Sequence, residues 1–137
     1  MRCLSLDVGD KTIGIAASDL LGLTAQGVKT IKRTSIKEDL KQLGELVKEF
    51  DAKIFVIGLP KNMNGTEGER CEIVRDFAEK VKKTFPDVEQ IFCDERLTTV
   101  AAEKFLIAAD VSRKKRKKVI DKMAAVQILQ TYLDSRK

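Results

Sequence analysis

The side chains that could perform chemistry in this 137-residue chain are mainly carboxylates. Asp7 follows a short alternating segment, Asp94 and Glu95 follow a second apolar segment, and Asp121 lies near the start of a third. Carboxylates from separate parts of a chain suit Mg²⁺, which keeps waters and phosphate oxygens as its remaining ligands. Two such ions can activate a water and stabilise the leaving oxygen of a phosphodiester. The acids therefore indicate a divalent-metal site for phosphodiester hydrolysis.

Each of these acids also has a structural interpretation. Asp7 stands beside a turn signal and could cap that turn. Asp94 or Glu95 could interact with the dipole of a following helix or pair with Arg96. Asp121 could be an ordinary acid of a first helical turn. From the residues alone, both interpretations stay open, and so does the choice between Asp94 and Glu95.

Histidine is absent from the sequence, and this absence narrows the chemistry. It excludes serine triads that use histidine, Cys-His pairs and His-ligated zinc. The three cysteines, Cys3, Cys71 and Cys93, are scattered and form no CxxC pair, so we expect reduced, buried thiols. The usual nucleotide-binding loops, Walker A and GxGxxG, are missing as well. Catalysis in this chain must therefore use carboxylates, basic or hydroxyl groups, a cysteine, or a metal held by oxygen.

The positive charge of the chain is local. Lysine and arginine number 26 against 21 acids, a net charge of +5. Without one run of six basic residues, the remaining basic residues are one fewer than the acids. Such a run is typical of a nucleic-acid contact, because neutralised phosphates release counterions, or of a solvated loop. The run consists of Arg113, Lys114, Lys115, Arg116, Lys117 and Lys118.

Hydrophobic periodicity predicts the order β-β-β-α-β-α-β-α-α. Three antiparallel strands are followed by alternation of helix and strand, which favours parallel pairing through right-handed crossovers. The pattern predicts one mixed α/β domain over residues 1–137, a five-stranded sheet flanked by helices. Strands are predicted at about 2–8, 12–17, 24–32, 53–58 and 88–93, and helices at about 35–50, 69–84, from 98, and 119–133.

This architecture would bring the acids together. Active sites in such sheets lie at the carboxyl ends of the parallel strands, where the loops converge. Asp7 lies near the end of the first predicted strand, on the face opposite Leu4 and Leu6. Asp121 shares an apolar helical stripe with Ala125, and burying it without a partner would cost on the order of several kcal/mol. We therefore expect Asp121 to face a partner at the sheet.

Hydropathy along the sequence indicates where in the cell the protein is located. The longest stretch without a charge is the 11 residues between Lys122 and Asp134, whereas a membrane helix needs roughly 20 apolar residues. Asp7 stands where a signal peptide would have its apolar segment. We therefore expect a cytoplasmic protein that does not contact a membrane.

Four sequence blocks resemble the YqgF/RuvX family. They are LSLDVGDKTIGIAASD (4–19), VIGLPKNMNGTEG (56–68), CDERLTTVAAE (93–103) and IDKMAAVQILQTYL (120–133). They occur in the order and at the spacing of that family, and they span essentially the whole chain. The resemblance implies a ribonuclease H-like fold and a nuclease that uses Mg²⁺ or Mn²⁺.

The resemblance also implies roles for individual residues. Asp7, Glu95 and Asp121 would be the catalytic carboxylates and the metal ligands, with Asp94 as an alternate acid. The family is described as processing the 5′ end of precursor 16S ribosomal RNA, and it was first regarded as resolving Holliday junctions. Structured RNA is therefore the expected partner, and branched DNA is the alternative.

Several expectations concern binding and the remaining alternatives. Lys11 and Arg96 are candidates for phosphate contact, together with the basic run, and Arg96 could instead pair with Asp94. The protein could be a monomer or a homodimer, and cleavage of a junction predicts a two-fold dimer. Two other classes remain: an adaptor that binds nucleic acid without cutting it, and a phosphate-binding, ATPase-like module.

Overall fold

A computed structural model describes residues 2–97 and 113–136; the side chains of residues 97 and 113–122 lie outside that description. Helices and strands alternate after three initial strands, as the periodicity predicts. The elements are β1 (Arg2–Val8), β2 (Thr12–Ser18), β3 (Ala25–Lys32), α1 (Ile36–Phe50), β4 (Ala52–Leu59), α2 (Glu69–Thr84), β5 (Glu89–Asp94), a short 3₁₀ turn (Glu95–Leu97) and α3 (Arg113–Ser135).

The five strands form one mixed sheet in the order β3-β2-β1-β4-β5. Strand β1 pairs antiparallel with β2, and β2 pairs antiparallel with β3. On its other side β1 pairs parallel with β4, and β4 pairs parallel with β5. The carboxyl ends of β1, β4 and β5 therefore meet at one edge of the sheet. We call this the carboxyl edge.

Local sequence explains where several elements begin and end. The N–H of Glu38 donates to Ser35 Oγ over 3.2 Å, which caps the start of α1. Asp51 ends that helix in the left-handed region, with φ of 49°. Gly9 N–H donates to the carbonyl of Thr12 over 2.9 Å and closes the β1–β2 turn. These signals are local, and they agree with the predicted turn after the first strand and the predicted helix at about 35–50.

Alternation along the strands divides the core into two layers. Leu4, Leu6 and Val8 pack with α1 and α2 on one face of the sheet. On the opposite face, Cys3 and the small Ala16 pack against α3. Strand β4 contributes apolar side chains to both layers, which is the pattern of a strand buried on both faces. The predicted five-stranded mixed sheet flanked by helices is confirmed.

One boundary differs from the sequence prediction. Helix α3 begins at Arg113 instead of about residue 119, so the basic run forms its first turns and is not a loop. Arginine and lysine have high helix propensity, and the run contains no glycine or proline to interrupt a helix. The charge pattern thus obscured a helical segment. The helix predicted from about residue 98 lies outside the described residues.

Within the described residues, no helix has the length and apolar character of a membrane span.

Candidate active site

Asp7 lies near the end of β1, on the face of the sheet that α3 covers. The side chain of Ser5, two residues earlier on that face, donates to the carbonyl of Ala125 over 2.6 Å. Asp7 is itself buried, with 9% of its surface exposed. The sequence prediction that Asp7 faces away from Leu4 and Leu6 is confirmed, and α3 is the element on its side.

The direction of α3 follows from two hydrogen bonds to the sheet. Level with the start of β1, the backbone N–H of Ala25, the first residue of β3, donates to Gln130 Oε1 over 3.0 Å. Further along β1, Ser5 meets Ala125. The helix therefore runs antiparallel to β1, and earlier helix positions lie nearer the carboxyl edge. Position 121 is one turn before Ala125 in that direction, while the Asp121 side chain lies outside the described part.

Glu95 follows β5 and reaches the neighbouring strand β4. A Cβ placed on Gly58 would lie 3.4 Å from the carboxyl carbon of Glu95 and would collide with Ile128 Cδ1 of α3. Gly58 is one residue past the Leu6–Ile57 pair, so it is level with Asp7 on the adjacent strand. Neighbouring strands are about 4.8 Å apart. The missing side chain at Gly58 thus leaves room for the Glu95 carboxyl group beside Asp7.

Asp94 has a different environment. Arg96 donates to its carboxylate through Nη2 over 2.6 Å, through Nε over 2.9 Å, and through its backbone N–H over 2.9 Å. The hydrogen bonds from the Arg96 side chain are the main reason why the pKa of Asp94 is lowered. Of the two adjacent acids, Asp94 is held by Arg96 and Glu95 lies against Gly58.

The loop after β4 is held by its own polar groups and by Arg96. Arg96 Nη1 donates to the carbonyl of Met63 over 3.1 Å. Asn62 Nδ2 donates to Thr66 Oγ1 over 3.0 Å, and Thr66 Oγ1 donates to Asn64 Oδ1 over 2.6 Å. Both asparagine side chains are therefore engaged within the loop. The guanidinium of Arg96 joins this loop to the end of β5.

Lys11 lies exposed in the β1–β2 turn, three residues after Val8, the last residue of β1. Its carbonyl accepts a 2.8 Å hydrogen bond from the backbone N–H of Arg33. The Arg33 side chain pairs with Asp39, a buried acid of α1. Sequence reasoning singled out neither Arg33 nor Asp39. Asp39 resembles an ordinary acid of a first helical turn, and periodicity carries no signal that a polar position is buried.

The cysteine thiols are weaker candidates for metal binding or catalysis than the carboxylates. Cys3, Cys71 and Cys93, all within the described residues, are free and buried, as the sequence predicts. Burial raises the pKa of each thiol, and for Cys93, which also lies near Glu95 and Asp94, it reaches about 11. The thiols are therefore protonated at neutral pH, and the acids remain the candidate ligands.

The donor chemistry at the carboxyl edge fits a hard divalent cation. Asp7 and Glu95 offer carboxylate oxygens near Gly58, where a side chain would otherwise fill the space. Among the side chains that the structure describes, no three acidic or cysteine groups come together as a metal site. Asp121, the third predicted ligand, is not among those side chains. The described pair is thus suited to part of a metal site.

The fold is that of ribonuclease H-like resolvases. A structure of Thermus thermophilus RuvC in complex with a Holliday junction matches 99% of this chain and 96% of its own, with a TM-score of 0.58 and 9% identity. The fowlpox virus Holliday junction resolvase matches 100% of both chains, with a TM-score of 0.57 and 17% identity. At these identities the likeness establishes the fold class alone, and it confirms the predicted ribonuclease H-like sheet.

Sequence comparison identifies the family. The model described as RuvX, Holliday junction resolvase, matches residues 1–135. A relative in Clostridioides difficile (strain 630) is 63% identical over 97% of this chain and 94% of its own length. Another in Bacillus subtilis (strain 168) is 59% identical over 98% of this chain and 99% of its own. Both are named as candidate pre-16S rRNA nucleases. The chain belongs to the RuvX family.

Family membership confirms the predicted class of enzyme, a nuclease that hydrolyses phosphodiester bonds. It also agrees with a nucleic-acid substrate and with the use of a divalent metal. The roles of the individual site residues remain predictions. These residues are Asp7, Glu95, Asp121, Lys11, Arg96 and the basic run.

Proposed function

We propose that this protein is an endonuclease that processes the 5′ end of precursor 16S ribosomal RNA with Mg²⁺ or Mn²⁺. It would act in the cytoplasm as a single domain over residues 1–137, as a monomer or a homodimer. The proposal depends on one structural observation above all: two carboxylates and the start of α3 converge at the carboxyl edge.

The carboxylate set is supported by the registers of β1, β4 and α3. Asp7 and Gly58 lie level on adjacent strands, and Glu95 packs against Gly58. The bond between Ser5 and Ala125 fixes the register of α3, with position 121 one turn nearer the carboxyl edge. We therefore assign Asp7, Glu95 and Asp121 as the metal ligands and the catalytic acids.

Glu95 is a better candidate ligand than Asp94. The Asp94 carboxylate is already neutralised by three hydrogen bonds from the Arg96 side chain, and binding a metal would require it to give up that partner. Removing a partner from a charge pair leaves an uncompensated charge. Glu95, in contrast, lies toward Asp7. We assign Asp94 the role of holding Arg96 and the loop after β4.

The residues of this chain would supply binding and orientation. The chemistry that a bound divalent cation supplies is the activation of water and the stabilisation of the leaving oxygen. Asp7, held in a buried strand, and Glu95, held against β4, would keep their carboxylates in place without reorganisation. Such preorganisation is a major source of rate acceleration in phosphoryl chemistry.

The substrate would be held by basic residues around the same edge. The basic run occupies the first turns of α3, which precede Asp121 in the chain. Lys11 is exposed in the turn after β1. A helical run of six cations gives sequence-independent contact with phosphates, and its contribution falls as salt concentration rises. Shape recognition of a structured RNA fits this arrangement.

RNA is preferred over branched DNA because the relatives with 57–63% identity are named as candidate pre-16S rRNA nucleases. Junction resolution is the second candidate, and the description of the family favours it. The two functions share the same chemistry on a phosphodiester and differ in the substrate that the surface accepts.

The first experiment compares the two substrates directly. A labelled precursor 16S 5′ leader and a four-way DNA junction are incubated with the protein and Mn²⁺ or Mg²⁺. Asp7→Asn tests the site, and Asp10→Asn is a matched control because Asp10 is an exposed acid three residues away. We expect metal-dependent cutting of the RNA, a loss of at least about a hundred-fold in Asp7→Asn, and wild-type rates in Asp10→Asn.

The other outcomes separate the alternatives. Selective cutting of the junction would make the protein a resolvase. Salt-sensitive binding of both substrates without cutting of either would favour the adaptor. Equal activity of Asp7→Asn and wild type would remove Asp7 from the mechanism.

A further inference from the structure

The β1–β2 turn, which follows Asp7 by two residues, is held by a residue from the end of β3. The backbone N–H of Arg33 donates to the carbonyl of Lys11 over 2.8 Å, and its Nη1 donates to the carbonyl of Gly9 over 2.9 Å. One residue thus binds the carbonyls on both sides of Asp10. Together with the Gly9–Thr12 hydrogen bond, these contacts determine the conformation of the turn.

The Arg33 guanidinium is itself held by two further elements. Its Nε donates to Asp39 Oδ2 of α1 over 3.3 Å, and its Cζ lies 5.0 Å from the ring centre of Phe77 on α2. Asp39 Oδ1 accepts the backbone N–H of Thr34 over 3.2 Å. The guanidinium therefore cannot rotate away from Gly9 without losing an ion pair and a cation–π contact.

The degree of burial sets this pair apart from a surface salt bridge. The Asp39 side chain is 2% exposed and the Arg33 side chain 21% exposed. A buried pair of this kind adds little net stability compared with an apolar replacement, so stability alone does not account for it well. What the pair provides that an apolar pair would not is a directed hydrogen bond to the Gly9 carbonyl.

We infer that Arg33 and Asp39 are positioning residues for the active site. Through the Gly9 carbonyl they determine the path of the chain directly after β1, and with it the orientation of Asp7. This inference rests on the proposed function, because it assigns to the pair the task of orienting a metal-binding carboxylate. Misplacement of catalytic groups by about 1 Å costs up to a hundred-fold in rate.

The test compares Arg33→Lys with Arg75→Lys. Lysine at position 33 keeps the charge and the backbone bond to Lys11, but a single ammonium cannot reproduce the forked geometry that reaches both Asp39 and Gly9. Arg75 is a matched control on α2, since it also pairs with a carboxylate, that of Glu67, and its Cζ also lies near a phenylalanine ring, 4.9 Å from the ring centre of Phe92.

Two readouts are measured on the full-length protein. Steady-state cleavage of the RNA leader gives kcat and KM, and calorimetry without RNA gives the affinity for Mn²⁺. For Arg33→Lys we expect kcat to fall by about ten-fold or more, KM to stay within two-fold, and the Kd for Mn²⁺ to rise by about ten-fold. For Arg75→Lys we expect all three values within two-fold of wild type.

A purely structural role gives a different result. Arg33→Lys would then lower the melting temperature, but its kcat and its Mn²⁺ affinity would equal those of Arg75→Lys. This result would overturn the inference. If Arg33→Lys does not fold, Asp39→Asn takes its place, because asparagine keeps an oxygen acceptor for Thr34 and loses the charge. Failure of both variants to fold would also overturn it, since the pair would then be required for the fold itself.

The proposed function and this inference fail in different ways. A wild-type protein that binds Mn²⁺ but cleaves no RNA leader contradicts the proposed function, and the Mn²⁺ affinities still decide the role of Arg33. A wild-type protein that binds no Mn²⁺ contradicts both.

Discussion

The two turns of the β1–β2–β3 meander are held by different kinds of contact. In the β2–β3 turn, residues 19–24, Asp19 Oδ1 accepts the backbone N–H groups of Leu23 and Thr24 over 2.7 and 3.3 Å. Gln130 of α3 adds one hydrogen bond to this turn, from Nε2 to the Leu23 carbonyl over 3.0 Å. The β1–β2 turn at the carboxyl edge is held by Arg33, which comes from the end of β3 and pairs with the buried Asp39. A turn closed mainly by its own acid suits a structural role, whereas a turn held by a buried ion pair can set the orientation of Asp7.

The largest expected effect is a loss of stability on breaking the ion pair that holds the β1–β2 turn. Asp39→Ala leaves Arg33 without its buried partner, and breaking a buried pair typically costs 3–5 kcal/mol. Because Arg33 is partly exposed, we expect the lower end, about 3 kcal/mol, in the free energy of unfolding measured in urea. A loss below about 1 kcal/mol would mean that the pair resembles an exposed salt bridge.

Alanine substitutions at two glycines compare the candidate active site at the carboxyl edge with the β2–β3 turn. In Gly58→Ala, the new Cβ would collide with Ile128 and crowd Glu95, so we expect a loss of about 2 kcal/mol and at least ten-fold lower cleavage. Gly22 lies in the β2–β3 turn at φ of 71° with open space around it. Gly22→Ala should cost only about 1 kcal/mol, from backbone strain, and leave cleavage unchanged.

Urea unfolding and RNA cleavage of both variants check this pair of predictions. Equal effects of Gly58→Ala and Gly22→Ala on cleavage would contradict the assignment of the active site to the carboxyl edge.

The stability contributed by the β2–β3 turn should depend modestly on pH. The hydrogen bond from the Leu23 N–H is the main reason why the pKa of Asp19 is lowered from its usual 3.8. Its contribution to stability is therefore present above that usual value and is lost as pH falls through the lowered pKa. Asp19→Asn should remove this part of the pH dependence.

Melting temperatures of wild type and Asp19→Asn at pH 7 and near pH 2.5 test this point. The difference between the two proteins should shrink at the lower pH, as Asp19 begins to take up a proton. A difference that grows on acidification would contradict the role of Asp19 as a charged acceptor.

The smallest effect is expected from the leucines at the tip of the β2–β3 turn. Leu20 and Leu21 are 77% and 79% exposed. Replacing either by serine removes little buried surface, so the free energy of unfolding should change by less than about 0.5 kcal/mol. RNA cleavage should stay at the wild-type rate. A large loss of cleavage would place this turn, and not only the carboxyl edge, in the substrate-binding surface.

Much of the fold could be predicted from the sequence, because its signals are local. The alternation in the strands and the helical periodicity at about 35–50 and 69–84 depend on residues a few positions apart, and the structure confirms these elements. The start of α3 was predicted wrongly at about 119, since a run of basic residues has the same appearance whether it is a loop or a helix. Charge is a weak guide to local conformation.

The candidate site was less accessible to sequence reasoning. The adjacent acids Asp94 and Glu95 are equivalent as a pattern, and only the contacts with Arg96 and Gly58 distinguish their environments. Arg33 and Asp39 gave no signal at all. Their meaning depends on which surfaces pack together, and burial is a property of the folded chain.

By itself the sequence determined the order of the elements, the class of chemistry open to a chain without histidine, and, through four sequence blocks, its family. The tertiary structure alone decided that Glu95 lies toward Asp7 while Asp94 holds Arg96, and that the turn after Asp7 depends on Arg33. The physical reason is range. Periodicity and capping act between neighbours in the chain, whereas a site is made by side chains that become neighbours only when strands and helices pack.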